Sequence, residues 1–246
     1  MPLMDHLREL RTRLVRGLLA ITVGVVVAWI FYPQILDVLI DPLERVRPAL
    51  EAEGIETTLN MGGVGGAFQF QLKTSLIVGV IISSPWWMWQ VWGFVLPALH
   101  RHEKRWAILL TAVGAPLFIG GAAAGYYVLP TAVKLLIGFV PVGWANIISG
   151  GEYLGFVLRI MLVFGLAAQI PLVVVLLNRI GAVSARQLAR ARPWTILGIF
   201  IFSAIATPTV DPLTMLFLAI PMTLLYGVSE LIARITDRRR ARRVEA

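Results

Sequence analysis

Apolar residues along this chain come in long runs rather than in alternation. No charge falls between Gly17 and Pro33, and none between Lys73 and Leu99. About 20 predominantly apolar residues carry a helix across ~30 Å of hydrocarbon. Six runs, near 17–36, 67–96, 106–130, 153–177, 193–207 and 213–231, predict six transmembrane helices. The expected fold is an all-α integral membrane protein, one polytopic domain over 1–246. The first four runs comfortably exceed the required length and the last two are short. At 1.5 Å per residue the fifth run reaches about 22 Å, and Pro208 and Pro212 bracket a tight turn after it. Four spans plus a re-entrant hairpin would leave the same loops on the same sides. Six spans with local bilayer thinning is the reading preferred here. Ahead of the first run, Leu3, Leu7, Leu10 and Leu14 form one helical stripe, which predicts a helix over 1–16 lying along the membrane surface. Pro85, Pro171 and Pro221 are expected to kink their helices.

Composition supports the count. Of 246 residues 58% are hydrophobic and only 15% charged, and the mean hydropathy is +0.79. Soluble domains carry about 25% charged residues. The net charge of +8 invites a nucleic-acid reading, but the basic residues are not gathered on one soluble face. Seventeen of the 22 lie in four short stretches: Arg8 to Arg16, Arg101 to Arg105, Arg179 to Arg192 and Arg234 to Arg243. The segment from Asp37 to Glu56 instead holds six acids against Arg45 and Arg47. Short basic loops stay on the cytoplasmic side, so both termini are expected there, with 232–246 as a basic cytoplasmic tail. No small-residue cleavage pattern follows the first apolar run, so it reads as a span rather than a removable signal. With no cysteine, disulfides and thiol chemistry are excluded.

Few polar residues remain as candidates. Glu9 precedes Arg13 by four residues, the spacing of a helix-surface pair; the same carboxylate at a membrane surface could also receive a cationic ligand. Glu103 is the sole acid of its basic stretch, open to the same two readings. His100 and His102 lack the i, i+4 spacing of a helical zinc site, and no metal is expected. Gln169, two residues before Pro171, is a polar group at membrane depth, either bonding another helix or lining a groove. Lys73 and Arg159 are expected to snorkel to the outer interface, and Glu230 to pair with Arg234. Neither GxSxG, HExxH nor a phosphate-binding loop occurs, so neither enzyme nor cofactor is expected.

Four strings go further. HLRELRTRL at 6–14, SPWWMWQVWGFVLPALHRHEKR at 84–105, ATPTVDPLT at 206–214 and FLAIPMTLLYGVSEL at 217–231 resemble, in order, motifs of the TatC family, the multispanning core of the twin-arginine protein translocase. The resemblance implies a prokaryotic cytoplasmic (inner) membrane protein that receives the twin-arginine signal peptides of folded cargo. It also implies TatB-like and TatA-like single-span partners, several copies of this subunit in one complex, and transport driven by the proton-motive force. Carried over residue by residue, Glu9 and Glu103 would contact the arginine pair, and Arg11 and Phe94 would shape the recognition patch. Pro42 matches the outer-loop proline after the first helix, and Asp211 the acid of the last outer loop. The family commonly has glutamate where this chain has Gln169, so a proton-coupling role at that position is not expected. A small-solute secondary transporter stands as the alternative, although such proteins usually bury ionisable residues on several helices and have repeated halves.

Overall fold

The computed structural model describes residues 3–60, 62–63, 65–95, 103–141, 144, 146–179, 181–206 and 212–244. No proline falls between Leu3 and Ile30, and the chain there is a single helix, α1 (Leu3–Ile30). The surface helix expected over 1–16 and the first span are thus one continuous element.

The acidic segment that follows folds as α2 (Tyr32–Ala52), with Pro33 in its first turn. Its apolar residues Leu39, Leu43, Val46 and Leu50 recur every three or four positions, and all four are buried. Pro42, expected in a loop, lies inside this helix and is itself buried. Proline has no N–H to give the carbonyl four residues back, which is that of Val38. The Tyr126 hydroxyl lies 2.9 Å from that oxygen and 2.9 Å from Asp41 Oδ2, and its single proton is shared between the two acceptors. Gly54, at φ 79°, then reverses the chain, and the Ile55 amide donates back to the Leu50 carbonyl at 2.9 Å.

A short strand, β1 (Thr57–Asn60), pairs in parallel with β2 (Asn146–Ser149), Thr57 standing opposite Asn146. Between them come α3 (Gly66–Ile82), α4 (Ser84–Val95) and α5 (Glu103–Ile137). α3 and α4 occupy the second apolar run but meet at a bend of 59°. Pro85 explains the break: its ring disfavours helix at Ser84, and it withholds an N–H from the turn before. The Ser83 hydroxyl donates to the Gly79 carbonyl at 2.7 Å, and the Trp87 indole N–H to that of Val80 at 2.9 Å.

α6 (Gly150–Ala167) and α7 (Ile170–Arg179) divide the fourth run at Ala168–Gln169, just ahead of Pro171. α8 (Ala185–Ala206) and α9 (Pro212–Val244) complete the chain, and α9 continues through Pro221 as one helix. Both extend beyond the apolar runs that located them. The basic residues Arg186, Arg190 and Arg192 occupy the first two turns of α8, which lengthen it to 22 residues. Among the described residues, five helical stretches are long and apolar enough to cross a membrane, and the bent α3–α4 pair makes up to six if it is one span.

The helices pack as a row. α1 lies on α3 and α4, α4 on α5, α5 on α6, and α6 and α7 on α9, with α8 against α9. At the two edges, α1 and α8 bury only 17% of their most apolar windows. Their outer faces, among them Leu19, Val23, Ile201 and Ile205, are the surface that lipid covers. The strands and α2 close one end of the row. The described residues of the four basic stretches are carried by the other end, where α1 begins and α9 finishes.

Candidate functional site

At that basic end α1 holds Glu9 one turn before Arg13. The Arg13 Nε donates to Glu9 Oε1 at 2.8 Å, and its Nη2 lies 2.7 Å from the same oxygen. Each side chain keeps about a quarter of its surface exposed (26% and 25%), so the carboxylate stays reachable while paired. The guanidinium continues across to α4, where it lies over Gly93 so closely that a methyl group there would collide with it. Arg13 thereby joins the two helices and holds Glu9 at their junction.

Beside this pair, α1 and α4 enclose a cavity of about 230 Å³ whose lining includes Leu10, Arg13, Leu14, Trp87, Gln90 and Phe94. Phe94 is half-buried at its edge, whereas Arg11 is exposed on the outer side of α1. Glu103 is the first residue of α5, at the same end of the row as Glu9. Asp211, His100 and His102 lie outside the described residues. The contributions of Gly93 and Gln90 went unread in the sequence. The four-residue spacing marked the Glu9–Arg13 pair, but the reach of Arg13 to α4 is a tertiary contact.

Gln169 stands apart from this junction, at the break between α6 and α7. Its Nε2 donates to the Gly114 carbonyl of α5 at 3.0 Å. Its Oε1 is buried without a hydrogen-bond partner among the described residues. This is the interhelical bond of one sequence reading, with an acceptor left over.

Two further carboxylates organise the basic end. Glu230 is 4% exposed and accepts from Arg192 at 2.7 and 3.0 Å as well as from Arg234, the partner expected from its spacing. Asp237 accepts from the Asn178 amide at 2.9 Å and from the Ala185 backbone N–H at 2.8 Å, tying α9 to the turn between α7 and α8.

A family model for the Sec-independent protein translocase protein TatC matches residues 5–221, from the first turns of α1 into α9. The chain belongs to the TatC family. A TatC from Frankia casuarinae is 43% identical over 249 aligned residues, which cover 99% of this chain and 68% of that protein. The TatC of Xylanimonas cellulosilytica is 41% identical, covering 99% and 87%, and that of Aquifex aeolicus 35%, covering 98% of each. A crystal structure of the twin arginine translocase receptor TatC in the detergent DDM superposes with a TM-score of 0.82 at 35% identity, over 93% of this chain and 99% of that one. A second crystal structure of that receptor gives 0.81 at 34% identity, over 94% and 98%. As a TatC-family chain this is a non-enzymatic membrane component of a protein translocase, and the small-solute transporter alternative falls away.

Proposed function

We propose that this chain is the receptor and core subunit of a twin-arginine translocase. The observation that carries the reading is the end-to-end likeness to the solved twin arginine translocase receptor. Glu9 and Glu103 are the acids that receive the arginine pair of a signal peptide. A carboxylate takes guanidinium through short, charge-assisted and potentially bidentate bonds that lysine cannot reproduce. Glu9 is already oriented by Arg13, so an incoming arginine either shares its second oxygen or displaces the resident guanidinium. Arg11 and Phe94 shape the patch around it. Pro42 and Asp211 belong to the opposite, outer face.

By the positive-inside rule the basic end faces the cytoplasm, with both termini, and the likeness to TatC proteins supports the inner membrane of a prokaryote. Single-span TatB-like and TatA-like partners and further copies of this subunit complete the complex. The row has two long lipid-facing edges, α1 and α8, on which such helices could pack.

Site-specific photocrosslinking of a signal peptide to this protein in membranes tests the assignment. Arginine-pair and lysine-pair peptides are compared on wild type, Glu9→Gln and Glu103→Gln. Adducts that require the arginine pair and fall at least tenfold in either variant, with insertion unchanged, are expected. Adducts indifferent to both acids would remove them from the site.

A further inference from the structure

At the sheet-bearing end of the row, α3, α5, α6 and β2 enclose a second cavity of about 420 Å³. One wall is apolar: Val133, Leu136 and Ile137 from the last turns of α5, Phe156 from α6 and Ile148 from β2. The rest of the lining carries charge. Lys73 enters from α3, and Arg159 and Glu152 from α6. The Lys73 ammonium lies on the backbone of α6 at Gly155, where an added Cβ would stand 2.9 Å from Nζ. Glycine at 155 is what lets the cation come in.

Neither cation has an ion-pair or hydrogen-bond partner among the described residues, and Glu152 has none either. Lys134, at the same end of the molecule, pairs with Glu53 at 3.6 Å. Arg192 and Arg234 share Glu230, and Arg13 holds Glu9. Lys73 and Arg159 are two cations from different helices turned to one half-open cavity, and neither is ion-paired to an acid among the described residues. Lys73, Arg159 and Glu152 are all exposed, so an ion can reach them without rearrangement of the helices. Separate snorkelling to the interface, the sequence expectation, does not explain why both line the same apolar-walled space.

We propose that this cavity binds one monoanionic glycerophospholipid, with its phosphodiester on Lys73 and Arg159 and an acyl chain along Val133, Leu136 and Phe156. The charge matches: two cations and one acid leave the site a single positive charge, which one phosphodiester neutralises. Glu152 sets the head group, because its carboxylate accepts hydrogen bonds from head-group hydroxyls and repels a second negative charge. Phosphatidylglycerol satisfies all three demands. Phosphatidylcholine lacks the net charge and the donors, and phosphatidic acid can carry too much charge beside Glu152. The cavity volume falls within the range of ordinary small-molecule sites, about 300–1,000 Å³. The proposal rests on membrane insertion alone and is independent of signal-peptide recognition.

Native mass spectrometry of the purified full chain, loaded in turn with phosphatidylglycerol, phosphatidylcholine and phosphatidic acid, tests it. Wild type should keep one phosphatidylglycerol at collision energies that strip phosphatidylcholine. The Lys73→Gln/Arg159→Gln double variant should lose at least tenfold of that retention, Lys73→Arg should restore it, and Glu152→Gln should raise the retention of phosphatidic acid. Millimolar inorganic phosphate should leave the lipid in place; displacement would mark a free-anion site and overturn the lipid assignment. Equal retention of the two phosphatidyl lipids, or no change in the double variant, would also overturn it. If the double variant does not remain monodisperse, the single variants Lys73→Gln and Arg159→Gln carry the same comparison. A photoreactive group at Phe156 in cell membranes supplies the second readout. Lipid adducts support the assignment, and adducts to a protein would show that a partner's acid fills the cavity instead.

Discussion

Pro42 and Gln169 show how much a single polar atom decides. Pro42 removes one backbone donor from α2, and the Tyr126 hydroxyl of α5 offers its one proton to the freed Val38 carbonyl and to Asp41 in common. Gln169 presents the opposite case, an acceptor left without a donor. Its amide N–H meets Gly114 while its oxygen stays buried and unpaired. A Gln169→Leu change loses one hydrogen bond and also relieves one unsatisfied oxygen. These terms, each on the order of 1 kcal/mol, oppose one another. The thermal midpoint of Gln169→Leu in detergent should therefore stay close to wild type. If Oε1 serves a passing ligand, signal-peptide-dependent transport should still fall severalfold, while Gln169→Glu, which keeps an acceptor, transports normally. Full transport by the leucine variant would reduce the position to packing. That a polar group stood at this depth was plain from one glutamine inside FGLAAQIPLVVVLL. Which of its two ends would find a partner was not, because that depends on how closely α5 approaches.

Among the elements, α1 and α3 approach very closely. A Cβ added to Gly79 would lie 2.6 Å from the backbone nitrogen of Val25 and 2.8 Å from its Cα, atoms that cannot step aside. Gly120, in α5, has nothing within 4 Å of the same point. Gly79→Ala is expected to cost about 1–3 kcal/mol through forced separation of the helices. Gly120→Ala should be neutral or stabilising by up to about 1 kcal/mol, since alanine is the better helix former. Thermal unfolding in detergent distinguishes the two, and equal midpoints would refute the close-packing argument. The runs of apolar residues located the long apolar helices, because crossing hydrocarbon leaves little freedom in composition. They did not reveal α2. Six acids and two prolines read as an outer loop, and the stripe of Leu39, Leu43, Val46 and Leu50 was the overlooked signal. Nor did they separate α3 from α4 or α6 from α7. A proline warns of a kink, but its angle depends on what the bent helix packs against. The breaks at Pro85 and Pro171 were legible as positions only, and α9 runs on through Pro221.

Across the whole molecule, carboxylates hold both ends, Asp237 and Glu230 at one and Asp41 at the other. The Arg45 guanidinium beside Asp41, with the Tyr126 hydroxyl as its second donor, holds that carboxyl below the ordinary carboxylate range. Unfolded chain therefore takes up the proton more readily than folded chain. The contribution of this tie is complete above the usual aspartate value of about 4 and is lost as pH falls through the lowered one. Thermal midpoints in detergent should fall as the medium is acidified through that window, and Asp41→Asn should flatten the dependence; an unchanged profile in the variant would locate the sensitivity elsewhere. The candidate site divides along similar lines. Glu9 with Arg13 was readable from spacing, whereas the Gly93 shelf and the cavity beside it exist only once α4 has bent back along α1. The parallel pairing of β1 with β2 carries a consequence for how the protein is made. Thr57 and its partner Asn146 are on the order of 90 residues apart. At about 5–20 residues per second of synthesis, β1 waits on the order of 5–20 seconds for its partner to leave the ribosome. During that time α3, α4 and α5 must already have entered the membrane and α5 must have returned the chain to the far side. Closure of this small sheet is therefore a late event in biogenesis, a latch that can form only after half the bundle has been threaded correctly.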